Sequence, residues 1–285
     1  MSGVLLKSVC KAMERIAPLR LAEKWDNVGL LLESPITRAG KNRVLLTIDL
    51  TTSVFAESLA KDTSVIVAYH PTIFKGIQSL TLANPLQASL LRCAAEGISV
   101  YCPHTALDSV WGGINDWLAE GLMSGKDGEI RALVGEKLSA TGESEGAEGR
   151  LVVLNQPIAM DELVRRVKSH LELSQVQVGY PSSTESKSAP VRTIAICAGS
   201  GGSMLLGQQA DVYFTGEMAH HEVLASVAAG KHVILCGHTN TERGYLSVLA
   251  SKLRNELQAQ EFKVQGLEDF EVIVSERDQH PLELV

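Results

Sequence analysis

The chain has 285 residues, of which 45% are hydrophobic and 21% are charged, and its formal net charge is −7. This length and composition are typical of a folded globular protein with a buried core and argue against a disordered chain. The acidic balance argues against direct nucleic-acid binding, because affinity for the phosphate backbone depends on clustered lysine and arginine.

The N-terminal segment carries Lys7, Lys11, Arg15 and Arg20, which could imitate a mitochondrial transit peptide. Its apolar residues recur near helical spacing, which favours an amphipathic first helix instead. The five cysteines are scattered without CxxC spacing, as is typical of a reducing compartment. No apolar run reaches the roughly 18 residues of a membrane helix. We therefore expect a cytoplasmic protein without membrane contact, with a mitochondrial location as the alternative.

Short apolar, β-branched runs alternate with helical patterns along the rest of the chain. The predicted strands cover 43–50, 64–70, 98–101, 191–198, 211–215 and 232–236, with two weaker ones at 150–154 and 270–274. The predicted helices cover 53–61, 85–96, 114–122, 160–171, 217–229 and 241–260. This alternation predicts two interlinked α/β domains with mostly parallel sheets flanked by helices.

Two polar stretches rich in small residues interrupt that alternation, at 126–149 and 181–190. Their composition is typical of loops, and we interpret them as the borders of a short βα insert. The expected organisation is a first α/β domain over residues 1–125, an insert over 126–190, and a second α/β half over 191–285 that completes a metal site.

The pattern His-Thr-x-x-carboxylate occurs twice, from His104 to Asp108 and from His238 to Glu242, each time directly after a predicted strand. His70 ends another predicted strand. Ligands bind beyond the carboxyl ends of parallel strands, and a spacing of four residues brings two helical side chains to one side. Imidazole and carboxylate ligands suit Zn, Fe, Mn or Ni, held as one ion or two neighbouring ions. The alternative for each histidine is a purely structural role.

Other residues near these strand ends have two interpretations each. Cys102 and Cys236 stand two residues before His104 and His238, so they either approach the metal or line the core. The loop of Gly199, Ser200 and Gly201 either binds an anion through backbone N–H groups or makes a tight turn. Glu217, His220 and His221 either contact the metal ligands or the substrate, or they cap and solvate a helix.

Several longer motifs resemble one known family. They are WDNVGLLLE at Trp25 to Glu33, AYHPTIF at Ala68 to Phe74, YCPHTALD at Tyr101 to Asp108, GGINDWLAEGL at Gly112 to Leu122, TGEMAHHE at Thr215 to Glu222 and GHTNTERGYL at Gly237 to Leu246. Together they resemble the Nif-three-like (Ngg-one-interacting-factor-three-like) family, also known as GTP cyclohydrolase I type-two homologues, and its eukaryotic, fungal-like members in particular.

The resemblance implies a Nif-three-like fold, a homohexameric ring and two divalent metal ions in each subunit. Its ligands fall on His70, His104, Asp108, His238 and Glu242. Bacterial members often have two histidines at the first ligand motif, whereas here Tyr69 precedes His70. One ligand is therefore replaced by a phenol, which bears on the identity and occupancy of the metals.

Two functions follow as hypotheses. The first is a metal-dependent hydrolase that uses a metal-bridging hydroxide on a nucleotide or another small phosphorylated or heterocyclic substrate, with Tyr69, Glu217 or His221 as the proton carrier. The second is a non-enzymatic metal-binding ring that acts through protein partners, such as a transcription regulator, or in metal storage or delivery.

Overall fold

The computed structural model describes residues 2–38, 41–123, 125, 128–181, 187–259 and 269–282. The helices are α1 Ser2–Ile16, α2 Thr52–Ala60, α3 Pro85–Ala95, α4 His104–Ser109, α5 Ile114–Leu122, α6 Met160–His170, α7 Gly202–Leu205, α8 His220–Ala228 and α9 Tyr245–Gln258. The strands are β1 Gly29–Leu32, β2 Arg43–Thr47, β3 Val65–Ala68, β4 Ser99–Cys102, β5 Gly128–Leu138, β6 Ser144–Ala159, β7 Gln177–Gly179, β8 Pro190–Ser200, β9 Val212–Glu217, β10 His232–Leu235 and β11 Glu271–Val274. Two 3₁₀ helices cover Leu19–Leu21 and His238–Thr241.

Capping residues define where helices α2 and α3 begin. The Thr51 hydroxyl accepts a hydrogen bond from the backbone N–H of Val54 and so starts α2. Asn84 accepts from the backbone N–H groups of Leu86 and Gln87, and Pro85 occupies the first helical position of α3, where its missing N–H costs nothing.

The chain folds into two compact units. Unit 1 contains residues 1–107 and 245–279, and unit 2 contains residues 108–244 and 280–285. This division differs from the boundaries expected at residues 125 and 190. The long helix α9 returns to unit 1, where it packs against α1, β2 and β11.

Unit 1 is built on a five-stranded sheet in the order β1-β4-β3-β2-β11. Strands β11, β2, β3 and β4 run parallel, and β1 pairs antiparallel with β4 at one edge. Apolar side chains of the central strands, such as Leu45, Ile66 and Val100, pack with Phe55 of α2 and Leu90 of α3 in one buried cluster. The carboxyl ends of β2, β3 and β4 therefore lie side by side at one edge of the sheet.

Unit 2 is built on a six-stranded sheet in the order β5-β6-β8-β9-β10-β7. Strands β8, β9 and β10 run parallel, whereas β5, β6 and β7 join them in antiparallel pairings. Helix α5 packs against α6, β6 and β8. As in unit 1, three neighbouring parallel strands bring their carboxyl ends to one edge.

The predicted α/β class, with sheets flanked by helices, is confirmed, and every predicted strand and helix overlaps an observed element. The predicted parallel pairing is present in most of the sheet of unit 1, whereas the sheet of unit 2 mixes parallel and antiparallel pairs. The prediction of a loop over 126–149 is wrong, because β5 and the start of β6 form an antiparallel hairpin there. Its polar side chains alternate with half-buried ones, as expected of a strand with one face in solvent. Residues 126, 127, 182–186 and 260, on which the expected loops and last helix partly fall, lie outside the described residues.

The expected first helix is present as α1, and it buries Leu5, Val9 and Met13. Within the described residues, no helix combines the length and apolar character needed to cross a lipid bilayer.

Candidate functional site

Three neighbouring strand ends of unit 1 each carry a polar side chain. Asp49 follows β2, His70 follows β3, and His104 begins α4 directly after β4. The rings of His70 and His104 lie with their centroids 5.7 Å apart. The ring of Tyr69 lies against both, at 5.1 Å from His70 and 5.5 Å from His104. Unit 1 therefore brings two of the predicted metal ligands together with the predicted phenol.

Each of these two histidines binds a carboxylate through Nδ1. The Nδ1 atom of His70 lies 2.9 Å from Oδ1 of Asp49. The Nδ1 atom of His104 lies 2.8 Å from both carboxylate oxygens of Asp26. Because an ionised carboxylate can only accept, Nδ1 carries the proton in both rings, and Nε2 is the nitrogen with a lone pair for a metal.

Asp26 is the most constrained of these carboxylates, since its side chain is 0% exposed. Burial alone would raise the pKa of Asp26, but hydrogen bonds from His104 and from the hydroxyl and backbone N–H of Thr105 outweigh it and lower that pKa. The backbone of His104 has a φ of 27°, a left-handed conformation that is uncommon for residues other than glycine. Buried hydrogen bonds thus hold His104 in a strained position, as is frequent at functional sites.

Unit 2 has a matching arrangement at the ends of β9 and β10. Glu217 is the last residue of β9, and its Oε2 lies 3.0 Å from Nδ1 of His238, which follows β10. Nε2 of His238 lies 3.3 Å from Oε1 of Glu242, whose side chain is 2% exposed. The predicted pair of His238 and Glu242 is therefore assembled in one place, with an additional carboxylate behind the imidazole.

The end of β8 fits closely against this pair. A Cβ atom at Gly199 would lie 2.6 Å from Oε1 of Glu242 and 2.9 Å from Nε2 of His238. Gly199 also has a φ of +63°, so its position demands glycine for both reasons. The backbone N–H of Gly199 donates to the Thr241 hydroxyl at 2.9 Å, which ties β8 to the 3₁₀ helix that carries His238.

The same bonds argue against the anion loop considered for Gly199, Ser200 and Gly201. The N–H of Gly199 is used by Thr241, and the N–H of Gly201 donates to the Thr215 hydroxyl at 3.0 Å. An anion cradle needs several backbone N–H groups directed at one point. These contacts agree better with the alternative, a tight structural turn. The turn places Gly199 directly against His238 and Glu242.

Asp108 lies on α4, one turn after His104, and is half-buried. Burial, followed by the negative charges of Asp108 and Glu242, raises the pKa of the Cys197 thiol far above its ordinary value. Both predicted carboxylate ligands of unit 2 therefore act on this one buried thiol of β8. The sequence pattern singles out only Cys102 and Cys236, because they stand two residues before His104 and His238.

Those two cysteines are core residues in the structure. The Cys102 thiol donates a hydrogen bond to the Tyr69 carbonyl at 3.1 Å and is fully buried. Burial raises the pKa of the Cys236 thiol to about 12. Both observations favour the interpretation of small buried hydrophobic residues over that of thiolate ligands.

The three candidate proton carriers lie in different surroundings. Tyr69 is buried beside the two histidines, whereas Glu217 is half-exposed beside His238. His221 is exposed in the first turn of α8, and its ring contacts that of His220. Glu222, the next residue, accepts from the backbone N–H of Ala219 and thereby caps that helix.

The chemistry of these donors fits a metal centre. Metal-binding histidines commonly donate their second ring N–H to a carboxylate, which fixes the tautomer and the orientation of the ring. His70, His104 and His238 all do so, through Asp49, Asp26 and Glu217. The sequence indicates such a contact for Glu217 but not for the two aspartates, although Asp26 stands in the motif WDNVGLLLE and Asp49 lies near the end of the predicted strand 43–50.

Known proteins resemble this chain over nearly its whole length. The Protein NIF3 homolog of Schizosaccharomyces pombe is 47% identical over 274 residues, which cover 95% of each chain. The NGG1-interacting factor 3 of Saccharomyces cerevisiae is 38% identical over 288 residues, covering 97% of this chain and 96% of the relative.

Solved structures share the fold at lower identity. The Bacillus cereus protein related to NIF3 gives a TM-score of 0.79 at 17% identity and covers 98% of both chains. Reduced HcgD from Methanocaldococcus jannaschii gives a TM-score of 0.73 at 22% identity, covering 94% of this chain and 96% of HcgD.

The expected resemblance is thus confirmed by relatives from fungi, and the S. pombe protein fits the expectation of a fungal-like member. The family model for Duf34/NIF3 (NGG1p interacting factor 3) matches residues 4–281. The chain belongs to the Duf34/NIF3 family.

Proposed function

We propose that the protein is a metal-dependent hydrolase that holds two divalent ions and acts on a nucleotide or another small phosphorylated or heterocyclic substrate. The observation that carries this proposal is the repeated histidine–carboxylate pair. Three imidazoles from three strand ends all keep Nδ1 on a carboxylate, so each offers Nε2 as a ligand.

The proposed ligands are the five residues named from the sequence: His70, His104, Asp108, His238 and Glu242. Among them, His70, His238 and Glu242 have side-chain atoms that could hold an ion. Mixed imidazole and carboxylate donors suit Zn, Fe, Mn or Ni.

Bound divalent ions supply two things to a hydrolase: water that ionises near neutral pH, and polarisation of the substrate bond. The protein contributes orientation, because Asp26, Asp49 and Glu217 prevent the imidazole rings from turning. Glu217 is the best of the candidate proton carriers. Its side chain is 53% exposed and has a second oxygen besides the one that faces His238. Buried Tyr69 instead shapes the surroundings of His70 and His104.

Metal analysis combined with a hydrolysis screen tests this proposal. Protein purified without chelating resin is expected to contain transition metal, and it should hydrolyse at least one member of a panel of nucleotides, phosphate esters and amides. His104→Ala should lose most of both metal and turnover, whereas His280→Ala, which replaces a histidine outside the proposed ligand set, should keep them. Absence of transition metal from the unstripped protein would contradict the proposal.

A second candidate function rests on the name of one relative, the NGG1-interacting factor 3 of S. cerevisiae. In that case the chain would form a metal-binding ring that acts through protein partners. Tightly bound metal without turnover on the whole panel would favour this role. The hexameric ring belongs to both proposals, and light scattering that reports a monomer would contradict it.

A further inference from the structure

Two large aromatic side chains of unit 1 are exposed next to a proposed metal ligand. The side chains of Trp25 and Phe74 are 61% and 46% exposed, and their ring centroids lie 5.9 Å apart at an interplanar angle of 63°. Single exposed apolar residues are common on protein surfaces, but a contacting pair of large aromatic residues is a frequent mark of a binding surface.

Hydrogen bonds hold both members of the pair in place. Asp26, the neighbour of Trp25, accepts from His104 and from Thr105 in a buried position. The Asn27 side-chain amide donates to the carbonyl of Ile73, the neighbour of Phe74. The loop that carries Trp25 is thus fixed to α4 on one side and to the segment of Phe74 on the other. A fixed aromatic face loses little entropy when a ligand binds.

The pair also lies beside the proposed metal site. The rings of Trp25 and His104 are 6.1 Å apart, centroid to centroid, at an angle of 79°. His104 in turn lies 5.7 Å from His70. A flat ligand on Trp25 would therefore lie next to His104.

We propose that Trp25 and Phe74 form a stacking surface for the planar heterocyclic ring of the substrate. The inference rests on the proposed function, because it assigns a binding role to residues beside the proposed catalytic centre. Aromatic side chains bind every nucleobase through its π-face, which gives affinity for a class of heterocycles rather than for one base. The hydrolysed bond of such a substrate would then lie on the side of His104 and His70.

Binding of nucleosides, measured without any hydrolysis, tests the stacking surface separately from the enzyme. Adenosine and guanosine are expected to quench the tryptophan fluorescence of the full chain, and ribose 5-phosphate, which lacks the ring, should not. The chain has three tryptophans. Trp111 lies against Arg150 and Trp117 against His170, so the quenching should disappear in Trp25→Phe.

Calorimetry of the same nucleosides with variants gives the second readout. Trp25→Ala should weaken binding by about 5- to 150-fold, as expected for the loss of one base-stacking aromatic. Trp25→Phe should weaken it less, because an aromatic face remains. Leu138→Ala, which shortens an equally exposed apolar side chain of β5 in unit 2, is the matched control and should bind like the wild type.

Three results would overturn the inference. They are equal binding of ribose 5-phosphate, unchanged nucleoside affinity in folded Trp25→Ala, or a fall in molecular mass on light scattering in Trp25→Ala and Phe74→Ala. The last result would mean that the aromatic pair packs against a second copy of the chain. Because none of these readouts needs turnover, failure of the hydrolase proposal would appear separately, as metal-free or inactive wild-type protein.

Discussion

Asp26 connects two features of unit 1 through one buried carboxylate. It accepts hydrogen bonds from Nδ1 of His104 and from Thr105, and its neighbour Trp25 is exposed beside the same imidazole. The His104 backbone is held at a positive φ. Much of the orientation of His104 therefore depends on a residue that does not itself reach the proposed metal.

Asp26→Asn should lower metal affinity without removing any ligand. The amide is nearly isosteric but uncharged, so it polarises the His104 imidazole less and holds its orientation less firmly. Loss of such an outer contact typically costs about 10–100-fold in metal affinity. Competition with a chelator of known affinity would measure the change. Asp62→Asn, which removes an exposed carboxylate paired with Lys41, is the control and should bind metal normally. Normal affinity in Asp26→Asn would show that this carboxylate has only a structural role.

At the residue scale, the sequence singles out the proposed ligands more readily than the carboxylates that contact them. His104, Asp108, His238 and Glu242 stand out because they share a spacing and follow apolar runs. Asp26 does not, because its partner lies 78 positions away along the chain. A contact of that kind depends on tertiary packing, which no local pattern encodes.

At the scale of elements, Arg150 of β6 joins three segments of unit 2. Its guanidinium is 0% exposed and lies 2.7 Å from Oδ2 of Asp116 in α5. It also donates to the carbonyls of Ser109 and Val110, which directly follow the proposed ligand Asp108. The Trp111 ring lies 4.1 Å from the guanidinium carbon. This network fixes the end of α4 against β6.

Arg150→Met should destabilise the protein by about 3–5 kcal/mol, because it leaves Asp116 as a buried charge without its cation. The double variant Arg150→Met with Asp116→Asn should regain part of that loss. Urea unfolding measures both. Arg131→Met, which breaks an exposed ion pair with Glu129 within β5, is the control and should change little. A single variant as stable as the wild type would contradict the proposed importance of the network.

The sequence predicts elements that have strong apolar patterns. It does not predict strands whose order comes mainly from hydrogen bonding to a neighbouring strand. The buried strands β2, β3 and β4 are continuous apolar runs, and the sequence places each within a few residues. The hairpin of β5 and β6 has the composition of a loop, since its polar side chains face solvent and its order comes from pairing with β8. Apart from residues 150–154 of β6, which form an apolar run, these strands could not be recognised without knowledge of the pairing.

At the scale of the whole molecule, the chain order of the two units is interleaved. The sequence predicts that the second half runs from residue 191 to residue 285, but α9 and β11 belong to unit 1, and only residues 280–285 return to unit 2. Only long-range packing of α9 on α1 reveals the place of α9 in unit 1. The proposed metal ligands are likewise divided, with His70 and His104 in unit 1 and Asp108, His238 and Glu242 in unit 2.

Metal bound by the proposed ligands of unit 2 should stabilise that unit. A ligand present at 100 times its dissociation constant stabilises the folded state by about 2.7 kcal/mol, so a chelator should lower the melting temperature. Trp111 and Trp117 belong to unit 2, and in a Trp25→Phe background their fluorescence reports the melting of that unit alone. Glu242→Gln alters a proposed ligand of unit 2, so we expect it to remove most of the chelator-induced shift seen by these tryptophans. His280→Ala in the same background should keep the full shift. Should the shift persist undiminished in Glu242→Gln, Glu242 would not be a ligand of the metal that stabilises unit 2.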